Sequence, residues 1–216
     1  MTKPGRLFRY RYLAFDIVKV LTGIPTLLLF RPKVIFENDK AKKKIRGGGI
    51  IATNHKGFID PVKIFTVIYY RRIHCLARKE IYDHSALMRL ILRMGQCIKV
   101  DTENPADTSY LAKIREYTQD GRLVAIYPEG HIVKDSENML EFKLGTALLA
   151  ASCKVPIIPV YIAPRKNVFH RMRAAIGEPI YAYGEDGRML PMADLQKVTS
   201  DLTEKMLLLR ELTSNK

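Results

Sequence analysis

The chain has 216 residues, 47% of them hydrophobic and 27% charged, which suits one folded domain with a sizeable core and room for an appended segment. Its formal charge of +14 points to an anionic partner such as lipid headgroups, nucleic acid or an acidic protein. Three scattered cysteines with no Cys-x-x-Cys argue against a disulfide framework or a zinc site and make the cytosol the default compartment.

The charge is unevenly placed. Residues 1–46 hold 12 Lys and Arg against 3 Asp and Glu, whereas the remainder holds 24 against 19. Within that basic segment, residues 1–30 read as a helix. Leu7, Tyr10, Ala14, Ile17, Leu21, Ile24 and Leu28 recur at spacings of three and four, with Arg9, Asp16 and Lys19 on the other side. Pro25 is expected to kink or divide it. Such a helix either packs on its own domain or lies in a membrane interface, and the adjoining basic residues favour the interface. The longest uncharged run, Val20 to Phe30, is 11 residues, short of the roughly 20 needed to span a bilayer. No small-residue cleavage site follows, so a signal peptide is not expected.

Beyond residue 31 short apolar runs alternate with helical patterns. "KVIFE", "GIIAT", "IHCLA", "CIKV", "LVAIY" and "IIPVYI" read as strands, and residues 172–183 as a further β piece. Helices are expected over Pro61–Arg71, Ser85–Met94, a segment capped by Asn104 and Pro105 and stopped by Gly121, Lys143–Ser152, and a final one marked by Leu195, Val198, Leu202, Met206 and Leu209. This alternation predicts an α/β fold, a mostly parallel sheet covered by helices, with an N-terminal amphipathic helical segment over 1–30 and one domain over 31–216. In such sheets sites lie beyond the carboxyl ends of the strands. Asn54 and His55 follow "GIIAT", Arg78 and Lys79 follow "IHCLA", Asp101 follows "CIKV", and Glu129 and Gly130 follow "LVAIYP".

The stretch "TNHKGFIDP" places His55 five residues before Asp60. Five residues of helix turn through about 140°, and in a strand the two side chains point to opposite sides, so they meet only if the chain curls at Gly57. One reading makes Asp60 a helix N-cap before Pro61, with Ile59 and Ile64 as a hydrophobic staple. The other makes it a carboxylate that accepts the imidazole N–H and leaves the second nitrogen as a base. The two are compatible. No Gly-x-Ser-x-Gly elbow supplies a serine, so a substrate hydroxyl is left as the nucleophile.

These residues resemble the glycerolipid acyltransferases, the 1-acyl-glycerol-3-phosphate acyltransferase group. "TNHKGFIDP" is similar to its Asn-His, four residues, Asp block, "AIYPEG" to its Pro-Glu-Gly block, and "FKLGTALLAASCKVPIIPVYI" to its Phe-Lys-x-Gly helix and following strand, in the family's order over residues 49–163. The resemblance implies acyl transfer from acyl-CoA or acyl-carrier protein to a lysophospholipid hydroxyl. It implies His55 as general base and Asp60 as its orienting partner; no other cofactor is expected, and His74 and His84 lack ligand spacing, so no metal is expected either. It also implies a helical segment on the cytoplasmic face of the membrane, peripheral or monotopic.

The sequence departs from the family twice. After Pro-Glu-Gly stand His131, Ile132 and Val133, where relatives have Thr-Arg-Ser, and Thr102 stands about where they carry an arginine. Those arginines are taken to hold the acceptor phosphate. Asn54, Arg78, Lys99, Glu129, Gly130, His131, Lys134 and Lys143 are the candidate substrate-binding residues, the lysines as point charges without the arginine fork. "PRKNVFHRMR", 164–173, is a basic loop after the last core strand. A different lysolipid acceptor, or a basic membrane- or nucleic-acid-binding protein without catalysis, remains as an alternative. The lack of helix-turn-helix, zinc or stacking-aromatic signatures speaks against nucleic acid.

Overall fold

The computed structural model describes residues 13–104, 107–130, 142–165, 167 and 169–214. Seven strands form one sheet: β1 (Lys33–Phe36), β2 (Gly49–Thr53), β3 (Ile73–Arg78), β4 (Ile98–Val100), β5 (Leu123–Ile126), β6 (Ile157–Ile162) and β7 (Arg173–Ile176). Their order is β1-β7-β6-β2-β5-β3-β4. Every neighbouring pair is parallel except β6 with β7, so the fold is the expected mostly parallel α/β sheet. β2 sits between β6 and β5. The chain leaves β2 towards one edge and leaves β5 towards the other, and the carboxyl ends of these two neighbours flank the point where the winding reverses.

Two apolar layers sandwich the sheet, and the alternation along each strand assigns residues to them. In β2, Ile50 and Ala52 pack towards one layer and Ile51 towards the other, all with no solvent exposure. The first layer lies under α5 (Ser109–Gln119), α6 (Gly145–Cys153) and α7 (Met192–Ser214). The five residues that marked the last helix, Leu195, Val198, Leu202, Met206 and Leu209, are all buried there. The second layer lies under α2 (Asp60–Val67) and the end of α1 (Leu13–Phe30), whose Phe30 is buried. Two short helices, α3 (Lys79–Asp83) and α4 (Ala86–Met94), hang at the β3–β4 edge.

Local signals held where no distant partner intervened. Ser85 caps α4 by accepting the Met88 N–H at 3.1 Å, and Gly121 ends α5 with φ +76°. Three boundaries differ from expectation. The helix after Pro61 stops at Val67, because Arg71 is drawn away to donate to the carbonyls of Ile45, Gly47 and Gly121. Asn104 does not cap α5: the Asp101 carboxylate accepts the N–H groups of Glu103 and Asn104 in a turn, and the helix starts at Ser109. Pro105 lies outside the described residues. α6 begins at Gly145, so Lys143 stands just before it.

The described part of the N-terminal segment is a single helix that runs through Pro25. Its polar side faces the protein. Arg72 donates to both oxygens of Asp16, Lys19 donates to the Arg71 carbonyl at 3.0 Å, and Tyr69 donates to the Lys19 carbonyl at 3.3 Å. Ile17, Leu21, Ile24 and Leu28, the stripe read from the sequence, face solvent at 49 to 71% exposure. Leu7 and Tyr10 of that stripe lie outside the described residues.

The "GGG" run before β2 has a structural use. Gly47 takes φ +73°, and a Cβ on Gly48 would fall 1.9 Å from the Thr118 carbonyl oxygen, a backbone atom of α5. Gly48→Ala is therefore expected to destabilise the protein by about 3 kcal/mol, at the upper end for overpacking. Gly145→Ala, where a Cβ meets nothing within 4 Å, should be neutral. Urea midpoints of the two variants and the wild type check this.

Candidate active site

The site begins with a carboxylate that folds the chain back on itself. Asp60 opens α2, is 3% exposed, and its Oδ2 accepts the N–H groups of Lys56 at 2.6 Å and Gly57 at 2.7 Å. The same oxygen lies 3.0 Å from His55 Nδ1, and Oδ1 accepts from Lys63 Nζ at 2.8 Å. The curl between His55 and Asp60 is thus built by Asp60 itself. Gly57 has no positive φ and open space where a Cβ would stand, so its glycine freedom is not what makes the turn. The N-cap position belongs to Ile59, which is 55% exposed. Asp60 ties down the loop before the helix instead of capping it, and Ile59 does not bury a staple contact.

Burial alone would raise the Asp60 carboxyl. The hydrogen bonds from His55 and Lys63, then from Gly57 N–H, outweigh it and hold the group down at about 2. An ionised carboxylate on Nδ1 fixes that nitrogen as the proton-bearing one and leaves Nε2 for a substrate. The His55 ring stacks on Tyr127, with centroids 4.0 Å apart and planes at 21°. Tyr127 was not among the expected residues, although it immediately precedes Pro-Glu-Gly on the same rim. Its hydroxyl is buried with no hydrogen-bond partner among the described residues, and burial raises the phenol strongly. Lys63, one turn past Asp60, was also missed.

Two expected substrate-binding residues serve as framework. Asn54 is 2% exposed; its side chain donates to the Ile162 carbonyl at 3.0 Å and accepts the Ile162 N–H at 2.9 Å, which clamps the end of β6 beside His55. Glu129 is 1% exposed and accepts the His55 N–H at 3.4 Å. Gly130, at φ +77°, makes the turn after Glu129, and the Lys143 ammonium lies against it. Arg78 lies on the cavity wall, paired with Glu80 at 3.0 Å. Lys99 is directed elsewhere, to Asp83 at 3.3 Å and the Tyr82 ring, and does not line the cavity. His131 and Lys134 lie outside the described residues.

His55, Tyr127 and Gly130 stand on the wall of a cavity of about 940 Å³, at the upper end for small-molecule sites. It passes along β3 and reaches Val18, Thr22 and Phe65 of α1 and α2, and Met88 and Leu92 of α4. Thr102 is also on its wall.

A histidine hydrogen-bonded to a buried carboxylate, on the wall of a largely apolar cavity, is an arrangement able to do acid–base chemistry beside a bound hydrocarbon. The chain belongs to the acyltransferase family, whose model matches residues 33–163. It is 30% identical over 139 residues to the 1-acyl-sn-glycerol-3-phosphate acyltransferase of Bacillus subtilis (strain 168), covering 62% of this chain and 67% of that one. It is 25% identical over 155 residues to the mouse (Mus musculus) 1-acyl-sn-glycerol-3-phosphate acyltransferase alpha, covering 70% of this chain and 52% of that one. In fold it matches the crystal structure of the 1-acyl-sn-glycerophosphate (LPA) acyltransferase of Thermotoga maritima, at TM-score 0.64 and 18% identity over 94% of this chain and 80% of the other.

The depressed Asp60 value sets a pH test. A carboxylate held at about 2 contributes stability that is complete above the ordinary carboxylate value and disappears as pH falls towards 2. The stability gap between wild type and Asp60→Asn should therefore shrink as pH falls below about 4. Urea unfolding across this range reads it.

Proposed function

We propose that the protein transfers a fatty acyl group from a thioester, acyl-CoA or acyl-carrier protein, to the hydroxyl of a lysophospholipid, with 1-acyl-glycerol-3-phosphate the favoured acceptor. The observation that carries this reading is the His55–Asp60 pair at the wall of the apolar cavity. His55 Nε2 takes the proton of the acceptor hydroxyl as its oxygen attacks the thioester carbonyl. The tetrahedral intermediate collapses, the C–S bond breaks, and the imidazolium returns the proton to the leaving thiolate. Asp60, ionised throughout, offsets the positive charge that His55 carries between those steps. The cavity receives hydrocarbon, and its contact with both α1 and α4 gives an acyl chain length to occupy.

The acceptor phosphate is the part for which the family resemblance leaves fewest candidate groups, with Thr102 and Ile132 at or near the places where it leads one to expect arginine. Lys99 is directed away and Lys63 is bound to Asp60; Lys143 beside Gly130 and Arg78 on the wall are two further described cations placed to meet it. A phosphomonoester carries about −1.5 to −2 charge near neutral pH, which these two side chains offset. The names of the relatives support the same acceptor.

The enzyme would work at the cytoplasmic face of a membrane, peripheral or monotopic. Among the described residues no helix is long and apolar enough to cross a membrane. The outward apolar stripe of α1, in a segment rich in Lys and Arg, suits an anionic interface.

Incubating the full chain with labelled acyl-CoA or acyl-carrier protein and a panel of lysolipids, with products read by mass, tests the reaction. His55→Ala should lose about 10²–10⁴-fold in turnover while remaining folded. Lys143→Ala should raise KM for lysophosphatidic acid about tenfold or more, the worth of one charge-assisted contact, with the donor KM unchanged. Lys99→Ala should match wild type. Equal use of lysophosphatidylcholine and an unchanged Lys143→Ala would replace the phosphomonoester by a less charged acceptor.

A further inference from the structure

The loop between β6 and β7 has a use that neither the dyad nor the cavity absorbs. Phe169 at its tip is 82% exposed, more than any other large apolar residue described. The surrounding sequence, "PRKNVFHRMR", has no acidic residue. Arginines tie this loop to the last turn of α1. Arg165 donates to the carbonyls of Leu29 at 2.8 Å and His170 at 2.6 Å, and its guanidinium lies 5.5 Å from the centre of the Phe30 ring. Arg171 donates to the Arg31 carbonyl at 3.1 Å, and Arg31 donates to the Phe169 carbonyl. The Asn167 side chain accepts the N–H groups of Phe169 and His170 at 3.0 and 3.2 Å. Arg31 itself takes φ +42°, in the left-handed region that a non-glycine residue occupies only when its surroundings impose it.

A phenyl group is therefore exposed beside described residues, 165, 167 and 169–171, that are hydrogen-bonded to one another and to the last turn of α1. Arg31 and Arg171 are exposed, and among the described residues neither has an acidic partner. Leu28 and Leu29, also exposed, belong to the same turn of α1. We propose that the Phe169 loop is a second membrane-docking element, its ring entering the headgroup–acyl boundary of an anionic bilayer while Arg31 and Arg171 meet lipid phosphates. Apolar tips ringed by cations fit that boundary, where the ring is desolvated and the charges stay at phosphate level. This proposal rests on the membrane-surface part of the function proposed above. It adds a link to the site: the loop leaves β6 just beyond Ile162, the residue that Asn54 clamps beside His55. Docking through Phe169 thereby fixes the height of the dyad above the bilayer.

The chain contains no tryptophan, so Phe169→Trp supplies a single fluorescent reporter at the tip. The full chain carrying it is mixed with vesicles of phosphatidylcholine and phosphatidylglycerol, with sedimentation followed in parallel. The expected result is a blue shift of emission on vesicle addition and quenching by lipids brominated along the acyl chain, both reversed by high salt. Phe169→Glu, checked for an unchanged melting temperature, should sediment several-fold less. Emission that keeps its water-exposed position while the protein sediments with the vesicles overturns the proposal, as does undiminished binding of Phe169→Glu. Absence of vesicle binding by the wild-type chain overturns it together with the membrane-surface reading. Neither readout needs turnover, so failure of the acyl-transfer reading and failure of this one are told apart.

Discussion

One carboxylate organises the chemical end of this molecule. Asp60 is almost fully buried, and it remains charged because four donors converge on it: His55, Lys63 and two backbone N–H groups. Without them its burial would be too costly to sustain as an anion. The same bonds bend residues 55–60 into a shape that brings a histidine after a strand back over the first turn of the next helix. Shape and charge are therefore one feature. Around it the framework is nearly as firm. Glu129 holds the His55 backbone, Tyr127 carries the ring, and Asn54 ties the loop to β6. They come from the ends of two neighbouring strands, Tyr127 and Glu129 from β5 and Asn54 from β2, at the reversal of winding that an open parallel sheet supplies.

The N-terminal helix is the second organising feature, and it is inside out by the rule for surface helices. Its charged residues Asp16 and Lys19 turn inward to Arg72 and to the Arg71 carbonyl, and its aliphatic stripe turns outward. The same helix walls the cavity through Phe15, Val18 and Thr22. One element thus borders both the apolar cavity and the exposed aliphatic stripe proposed to meet a bilayer. A lipid substrate would have a short distance to travel between them. Phe15 and Phe30 are buried, so this segment belongs to the fold as much as to any membrane contact.

Much of this was legible in the sequence. Apolar runs gave the strands, and the spacing of Leu195 to Leu209 gave α7, because burial between two layers selects those residues directly. The helical stripe of α1 was legible too, but not its inward polar face, whose partner Arg72 lies 56 residues away. Distance explains the other misses. The end of α2 depends on Arg71 reaching Gly121, 50 residues on, and the framework role of Asn54 depends on Ile162, 108 residues on. Gly57 was credited with a turn that Asp60 makes, since a glycine's conformational freedom shows in a sequence and a carboxylate's hydrogen bonds do not. Lys99 stood on the correct rim, but β4 turns it towards Asp83. The family resemblance pointed to His55 and Asp60; the structure brings the two side chains into hydrogen-bond contact.

The central claim is that Asp60 fixes the proton of His55 on Nδ1 and presents Nε2 as the base. Nitrogen-15 NMR of histidine-labelled protein reads this directly, with the His55 signals assigned by their loss in His55→Gln. At a pH where His55 is neutral, the account predicts a protonated Nδ1 and a bare, acceptor-type Nε2. A neutral ring carrying its proton on Nε2, with Nδ1 bare, would contradict it.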